Sequence, residues 1–573
     1  MSPAFEQNAA CFVTSSKKAK RALKAASVFD TIKISIKKEK RKAKKMKKLV
    51  SLLLALTVVL TLFVPAFAAE EGDECDCGYT PIIDIKGTTI YKDTENLEAG
   101  KAEKEVSGGK DAVIETSLNI SKAFAKAMLT DKWDDYCDVL YEEIMPVYDQ
   151  YALNNDGEIG NKSGIDPNYN IENVTKRAIE GGRERHIREK DNILMYEYLY
   201  DSRLDPIQNA ALLKRFVETV KEVTGHKKVN ILGRCAVCVI LNTYFLSYGW
   251  DDVESVIFYN SIACGAEVAD ACFSGEIFLD STSLNRKAYE FLGLSPVLDL
   301  MMSVVEASEY AGLLEKGTDF IQKIYNKVAP NIMPRLLRDI FGTCPGWYSY
   351  ISPEYYEKCK SFILGDNADG KYDKLIEKID NYNYNFKPKA RSVLEDMAEG
   401  GVKVYVVAKY NSQMYPMLKN SEILGDDTIS VYKQTYNGAT CADISKTLSD
   451  EYIATADRRF VSPDKMIDSS TGVLPEHTWY MRDLAHMDYP LSLDPYMLRL
   501  MRSESYASVD TFEDMPQYMR YVKSEDKFVP MNEENAPSAD EGRPSNDPVR
   551  ILINFIKRFF ALIGYYIKNL FQK

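Results

Sequence analysis

Apolar and polar positions follow two periods along the chain, and the order of those periods predicts the architecture. Residues 79–89 make a short apolar run that enters a glycine turn, and residues 192–200 are apolar and aromatic. Both read as buried strands. Between them, residues 112–129 and 133–145 carry a helical apolar period. Residues 210–223 place Leu212, Leu213, Phe216, Val217 and Val220 on one helix face, and Gly225 closes that helix. The β-branched run at 228–233 passes through a sharp turn into the apolar stretch 239–246, which predicts strand, turn and helix. Further strands are predicted at 253–259, 273–280, 401–410 and 478–482. Strands and helices alternating at short spacing predict an α/β fold, a mostly parallel sheet with helices on both faces.

Strand alternation stops between residues 285 and 386, where helical segments at 298–313, 320–328 and 355–364 follow one another. An all-helical insertion in such a sheet predicts a cap able to shape an apolar pocket. At the N-terminal side, Met46, Lys47 and Lys48 precede an apolar run at 49–64 and the small-residue stretch 65–69. That is a secretory signal pattern, and the run is shorter than the ~20 residues a bilayer span needs. The predicted organisation is a basic extension at 1–45, upstream of the true start, and a signal peptide at 46–68. A first core part follows at 69–285, a helical cap at 286–395, a second core part at 396–523, an acidic linker at 524–548 and a cationic amphipathic helix at 549–573. The expected location is extracytoplasmic, secreted or held on the outer face of the cell membrane.

Charge narrows the partners. The 573 residues carry a formal net charge of -12, although Lys and Arg crowd residues 1–48. The remainder is therefore more acidic than the total, which argues against a nucleic-acid partner. In the last segment Arg550, Asn554, Lys557, Arg558, Lys568 and Gln572 share a narrow face and apolar residues cover the rest. Such a helix lies in a membrane interface or docks on the protein itself.

Eleven cysteines are present, and their spacing shows no repeated pair of the zinc-binding kind. Cys235 and Cys238 form a C-x-x-C, which opens a redox reading, but a thioredoxin-like motif belongs to a much smaller βαβ unit. No phosphate loop and no dinucleotide glycine box stand in the chain. Neither metal nor cofactor is expected.

The turn Gly233-Arg234-Cys235 has the form of a nucleophile elbow, with Cys235 exposed at the top of the sheet. A thiol needs a base to become a nucleophile, and the base needs a carboxylate to hold its tautomer. Only four histidines exist. His186 and His226 read as surface residues and His477 opens the last strand, while His486 lies in the loop beyond that strand. Asp427 is the expected carboxylate and Asp426 its adjacent alternative, giving the chain order Cys235, Asp427, His486.

Over residues 79–298 and 401–490 the chain resembles secreted bacterial α/β-hydrolases of the lipase and acyltransferase type. The matching stretches are residues 200–206 (YDSRLDP), 228–235 (KVNILGRC), 248–253 (YGWDDV), and Thr478 and Trp479 with His486. Polyhydroxyalkanoate synthases similarly carry Cys in a lipase-like box. The resemblance implies an α/β-hydrolase fold, an acyl group held on Cys235, His486 as general base, and an oxyanion bound by the N–H groups of Ala236 and Thr88. Val237 stands where the family carries Gly, and a β-branched side chain there predicts a crowded elbow. Ser202 stands where Trp is common. The expected function is an exported acyl hydrolase or acyltransferase acting on an acyl ester or lipid-like small molecule. The alternative is a catalytically silent hydrolase fold that binds lipid or a surface partner.

Overall fold

Runs of β-branched and aromatic residues build the sheet. The computed structural model describes residues 79–88, 110–148, 152–160, 171, 187–188, 193–290, 296–541, 543–544 and 547–571. The predicted basic extension, the signal peptide and His186 lie outside them. The strands are β1 (Ile82–Thr88), β2 (Ile187–Arg188), β3 (Ile193–Asp201), β4 (Val229–Arg234), β5 (Val253–Tyr259) and β6 (Lys403–Tyr410). They continue with β7 (Thr440–Cys441), β8 (Ile467–Asp468), β9 (Thr478–Arg482), β10 (Tyr518–Val522) and β11 (Lys527–Pro530). Nine form one sheet in the order β11-β10-β9-β6-β5-β4-β1-β3-β2, while β7 and β8 pair separately. Every pairing in the large sheet is parallel except β2 with β3 and β10 with β11, at its two edges.

The period of two explains why the central strands are apolar throughout. Ile231, Val256 and Val404 enter one core, whereas Leu232, Ile257 and Tyr405 enter the other. The longer helices are α1 (Lys110–Thr130), α2 (Trp133–Tyr148), α3 (Pro206–Thr224), α4 (Val237–Tyr248), α5 (Glu267–Ser274), α6 (Ser281–Tyr289) and α7 (Pro296–Tyr310). After them come α8 (Leu313–Leu336), α9 (Tyr356–Leu364), α10 (Asp373–Asn381), α11 (Ala390–Glu399), α12 (Asp494–Met501) and α13 (Pro548–Phe571). Helices α3, α4 and α11 cover the first face and α12 the second. The predicted face of α3 supplies Leu213, Phe216, Val217 and Val220, all fully buried. Each side chain so buried contributes roughly 1.5–3 kcal/mol before ordering costs. Asp205 caps α3 by accepting from the Ile207 N–H, and Gly225 ends it at φ 70°.

The helical insertion lies between β5 and β6 in sequence, but its bounds differ from those expected. Residues 273–280 are not a strand: Phe273 belongs to α5, which Gly275 terminates at φ 67°. The cap does not run to 395, because Ala390, Val393, Leu394 and Met397 of α11 pack on the sheet. Helices α1 and α2, expected in the core, instead join the cap. Cys137 packs with Val328 and Ile332 of α8, and Arg335 pairs with Asp138 at 2.7 Å. The acidic linker expected at 524–548 contains β11, with Phe528 and Met531 buried. Pairing with β10 outweighs the polar composition of that segment.

The C-terminal helix α13 packs along α7, the self-docking arrangement among the two expected. Arg558 donates to Ser303 Oγ at 2.6 Å and approaches Glu306 Oε2 at 3.4 Å. On its open side Val549, Leu552, Ile553 and Ile556 are exposed, at the i, i+3, i+4, i+7 spacing of one stripe.

Candidate active site

The C-terminal ends of β4, β6 and β9 converge on one point. Strand β4 ends at Arg234 and α4 begins at Val237, so the chain must reverse within Cys235 and Ala236. Cys235 makes that turn at φ 50°, a left-handed conformation that costs a non-glycine residue about 1–2 kcal/mol. Its N–H donates to the Tyr259 carbonyl at 2.9 Å, which ties the turn to β5. The chain beneath the turn is closely packed. A Cβ placed on Gly233 would stand 2.4 Å from Leu241 Cδ1 and 3.4 Å from Val237 Cγ1. Val237 therefore occupies space that Gly233 leaves open, and it is buried in the core.

The second thiol of the C-x-x-C faces different surroundings. Cys238 donates to the Gly233 carbonyl at 3.6 Å and the Tyr259 carbonyl at 3.9 Å, and burial pushes its thiol well above the ordinary range. Cys235 is half-buried and turns its Sγ to His486 Nε2, 3.0 Å away. On the far side of the ring, His486 Nδ1 lies 2.8 Å from Asp426 Oδ2. Oδ1 of Asp426 accepts the N–H groups of Ile429 at 2.8 Å and Thr428 at 3.2 Å. Both oxygens of the buried carboxylate are thus engaged, Oδ1 by the turn and Oδ2 by the histidine.

This corrects the carboxylate. Asp427, the expected partner of His486, does not touch it. The turn swings Asp427 to φ 83°, and its carboxylate meets Lys287 Nζ at 2.7 Å and the Thr428 hydroxyl at 2.8 Å. Lys287 also holds Glu290 at 2.9 Å, so Asp427 belongs to an ion-pair network that ties α6 to the turn. Neighbouring residues on a tight turn point apart, and only the backbone angles decide which one faces the ring.

The electrostatics follow from burial and pairing. Burial by itself works against a charged His486 ring, but the Asp426 carboxylate and the Cys235 sulfur hold its pKa well above the usual value. Burial likewise opposes ionisation of Asp426, yet the His486 ring, the Lys409 ammonium and the Ile429 N–H keep its pKa below the ordinary carboxylate range. Both neighbours therefore favour the charged ring, the state His486 reaches on taking a proton at Nε2.

Two residues at the site carried no signal in the sequence. Asn260, just past β5 at φ 40°, points its amide at His486, with Nδ2 3.4 Å from the His486 carbonyl. With the Nδ1 proton given to Asp426, the amide donates to that carbonyl. Lys409 lies in β6, where an apolar run concealed it. The other two described histidines have other surroundings: His477 bonds the Ala507 carbonyl at 2.8 Å and stacks on Tyr506, and His226 sits half-buried before β4.

Around the sulfur the walls are apolar and phenolic. Cys235, Ala236, Tyr350 and Phe386 pack against Ile262, Tyr382 and Ile429. Of the expected oxyanion donors, Ala236 precedes the first turn of α4, and its N–H donates to no other group among the described residues. Thr88 ends β1 in register with Asp201. The Asp201 carboxylate clamps Arg203 in a two-pronged ion pair at 2.9 and 2.6 Å, which shapes the 200–206 stretch. Among the described residues, no group of His, Cys, Asp and Glu is arranged to hold a metal ion. No protein-family model matches the chain, and no curated protein matches it.

Proposed function

We propose that the chain is an acyl hydrolase or acyltransferase of the α/β-hydrolase fold, working through an acyl-enzyme on Cys235. The observation that carries this reading is the line Cys235 Sγ, His486, Asp426, with contacts of 3.0 and 2.8 Å made by residues in the loops that follow β4, β9 and β6. A nucleophile turn followed in chain order by acid and histidine is the arrangement of that fold. Its resemblance to the lipase and acyltransferase type supports the choice of an acyl substrate.

In the first step His486 Nε2 accepts the Cys235 proton and the sulfur attacks the carbonyl carbon of an ester or thioester. The carbonyl π pair moves to oxygen, where the N–H groups of Ala236 and Thr88 serve as the donors that receive it. As that pair returns, the bond to the leaving oxygen or sulfur breaks and His486 supplies its proton. The acyl group now sits as a thioester on Cys235. A water or an acceptor alcohol then attacks while His486 takes the proton, and the Cys235 sulfur leaves. Asp426 keeps the ring oriented and offsets its charge throughout. The apolar wall of Ile262, Tyr350, Tyr382 and Ile429 suits an acyl chain.

The proposed setting is extracytoplasmic and in contact with a membrane surface. The pattern at 46–68 and the exposed stripe of Val549, Leu552, Ile553 and Ile556 support it. No helix among the described residues is long and apolar enough to cross a membrane.

The test is turnover of 4-nitrophenyl esters of increasing chain length by the signal-cleaved chain and by Cys235→Ala. The expected result is ester cleavage with a transient acyl adduct mapped to Cys235, absent in the variant. Full activity in Cys235→Ala would overturn the proposal.

A further inference from the structure

Lys409 is a buried cation near the end of β6, a strand whose only other charged residue is Lys403 at its start. Its side chain is fully buried, yet no carboxylate among the described residues accepts a hydrogen bond from it. Its Nζ donates instead to three backbone carbonyls: His486 at 2.8 Å, Asp488 at 2.8 Å and Ala485 at 3.2 Å. An ammonium has three N–H groups, so its donor capacity is used up by the one loop that carries the histidine. The faces of the cation are closed by Tyr489, whose ring centre is 4.1 Å away, and Tyr259 at 4.7 Å. Its own backbone is held by Gln434, which bonds the Lys409 N–H at 2.8 Å and its carbonyl at 3.0 Å.

A buried charge of this kind is expensive and is kept only where something depends on it. An apolar residue in β6 would leave three loop carbonyls without donors, and the loop would turn them toward water. That movement would carry His486 away from the line between Cys235 and Asp426. We infer that Lys409 is a positioning residue of the reacting centre, its ammonium fixing the loop of residues 485–488 so that His486 bridges Cys235 and Asp426. The inference rests on the proposed acyl-transfer chemistry and goes beyond it by assigning a role to a residue outside the reacting line.

Titration supplies a second consequence. Burial lowers the Lys409 pKa to about 8, against the opposing pull of Asp426 and Asp488. The groups facing it are Asp426 and Asp427 after β6, His486 and Asp488 in the bound loop, Cys235 at the elbow, and the Tyr259 and Tyr489 phenols. Below about pH 8 the ammonium serves all three carbonyls. Above it the neutral amine has two N–H groups for three acceptors, so the loop loosens as pH rises.

The experiment compares wild type, Lys409→Met and Lys409→Arg with 4-nitrophenyl butyrate as probe, from pH 6 to 10, alongside circular dichroism. Misplacing a catalytic base by about 1 Å costs on the order of 100-fold in rate. Lys409→Met is expected to lose about that factor in kcat with KM changed little, and to lose the wild-type fall in kcat above about pH 8. Lys409→Arg keeps a cation and is expected to recover part of kcat and to extend the active range to higher pH. Wild-type kcat and pH profile in a folded Lys409→Met would overturn the inference. Should Lys409→Met fail to fold, a folded Lys409→Arg with an unaltered alkaline limb would overturn it instead. Absence of Cys235-dependent turnover in the wild type would fail the underlying reading, a separate outcome.

Discussion

Replacing Asp426 with Asn isolates the carboxylate from the turn that holds it. Asparagine keeps an oxygen to accept the Ile429 and Thr428 N–H groups, now at 2.8 and 3.2 Å, so the loop retains its shape. The other arm changes from acceptor to donor, and it faces His486 Nδ1 at the 2.8 Å of the native contact. The ring must then offer a lone pair at Nδ1 and carry its proton on Nε2. At 3.0 Å from Cys235 Sγ, a protonated Nε2 cannot take the thiol proton. The same substitution in a nucleophile, histidine and aspartate site lowers kcat by about 10⁴, which is roughly 5.5 kcal/mol of transition-state stabilisation. The control is Asp427→Asn. That residue sits at φ 83°, a conformation asparagine tolerates well, and its ion pair with Lys287 is backed by Glu290. Initial rates on 4-nitrophenyl butyrate and the rate of iodoacetamide alkylation at Cys235 are measured for both. Asp426→Asn should lose about four orders in turnover and the selective alkylation, while Asp427→Asn stays within a few-fold of wild type. The reverse ranking would refute the assignment of Asp426 and the tautomer argument together.

Further outcomes follow from particular contacts. Gly233→Ala forces a Cβ to within 2.4 Å of Leu241, and overpacking of this kind costs about 1–3 kcal/mol, read by urea denaturation. Cys235→Gly removes the nucleophile but relieves the φ 50° conformation, so it should abolish turnover without lowering the melting temperature. A drop of several degrees would show that the elbow is unstrained. The His486 and Asp426 pair sets a pH window for stability. The Asp426 pKa is lowered, so its contribution is present above the unfolded value of about 3.9 and lost as pH falls through the folded one. The His486 pKa is raised, so its contribution is full below about 6.5 and lost as pH rises through the folded value. Calorimetry of wild type and Asp426→Asn should therefore differ most between about pH 4 and 6.5 and converge at alkaline pH. Arg558→Ala removes the donor to Ser303 and Glu306, and trypsin should then release α13 faster than from wild type.

Local pattern determined much of this protein. The period of two in β4, β5 and β6, the apolar face and caps of α3, and the helical stretch between β5 and β6 are properties of short segments. So was the elbow, because a glycine, one residue and a cysteine between a β-branched run and a helix leave little choice of path. The scarcity of histidine narrowed the base to one loop. Composition misled wherever pairing partners lay far away. Residues 524–548 read as linker because β11 is stabilised by β10 rather than by its own residues, and α11 read as cap although its apolar face meets the sheet. The choice between Asp426 and Asp427 depended on backbone angles in one turn. Lys409 in a strand of valines had no local signature at all. Its meaning comes from three carbonyls more than seventy residues away, which only the closed fold brings within reach.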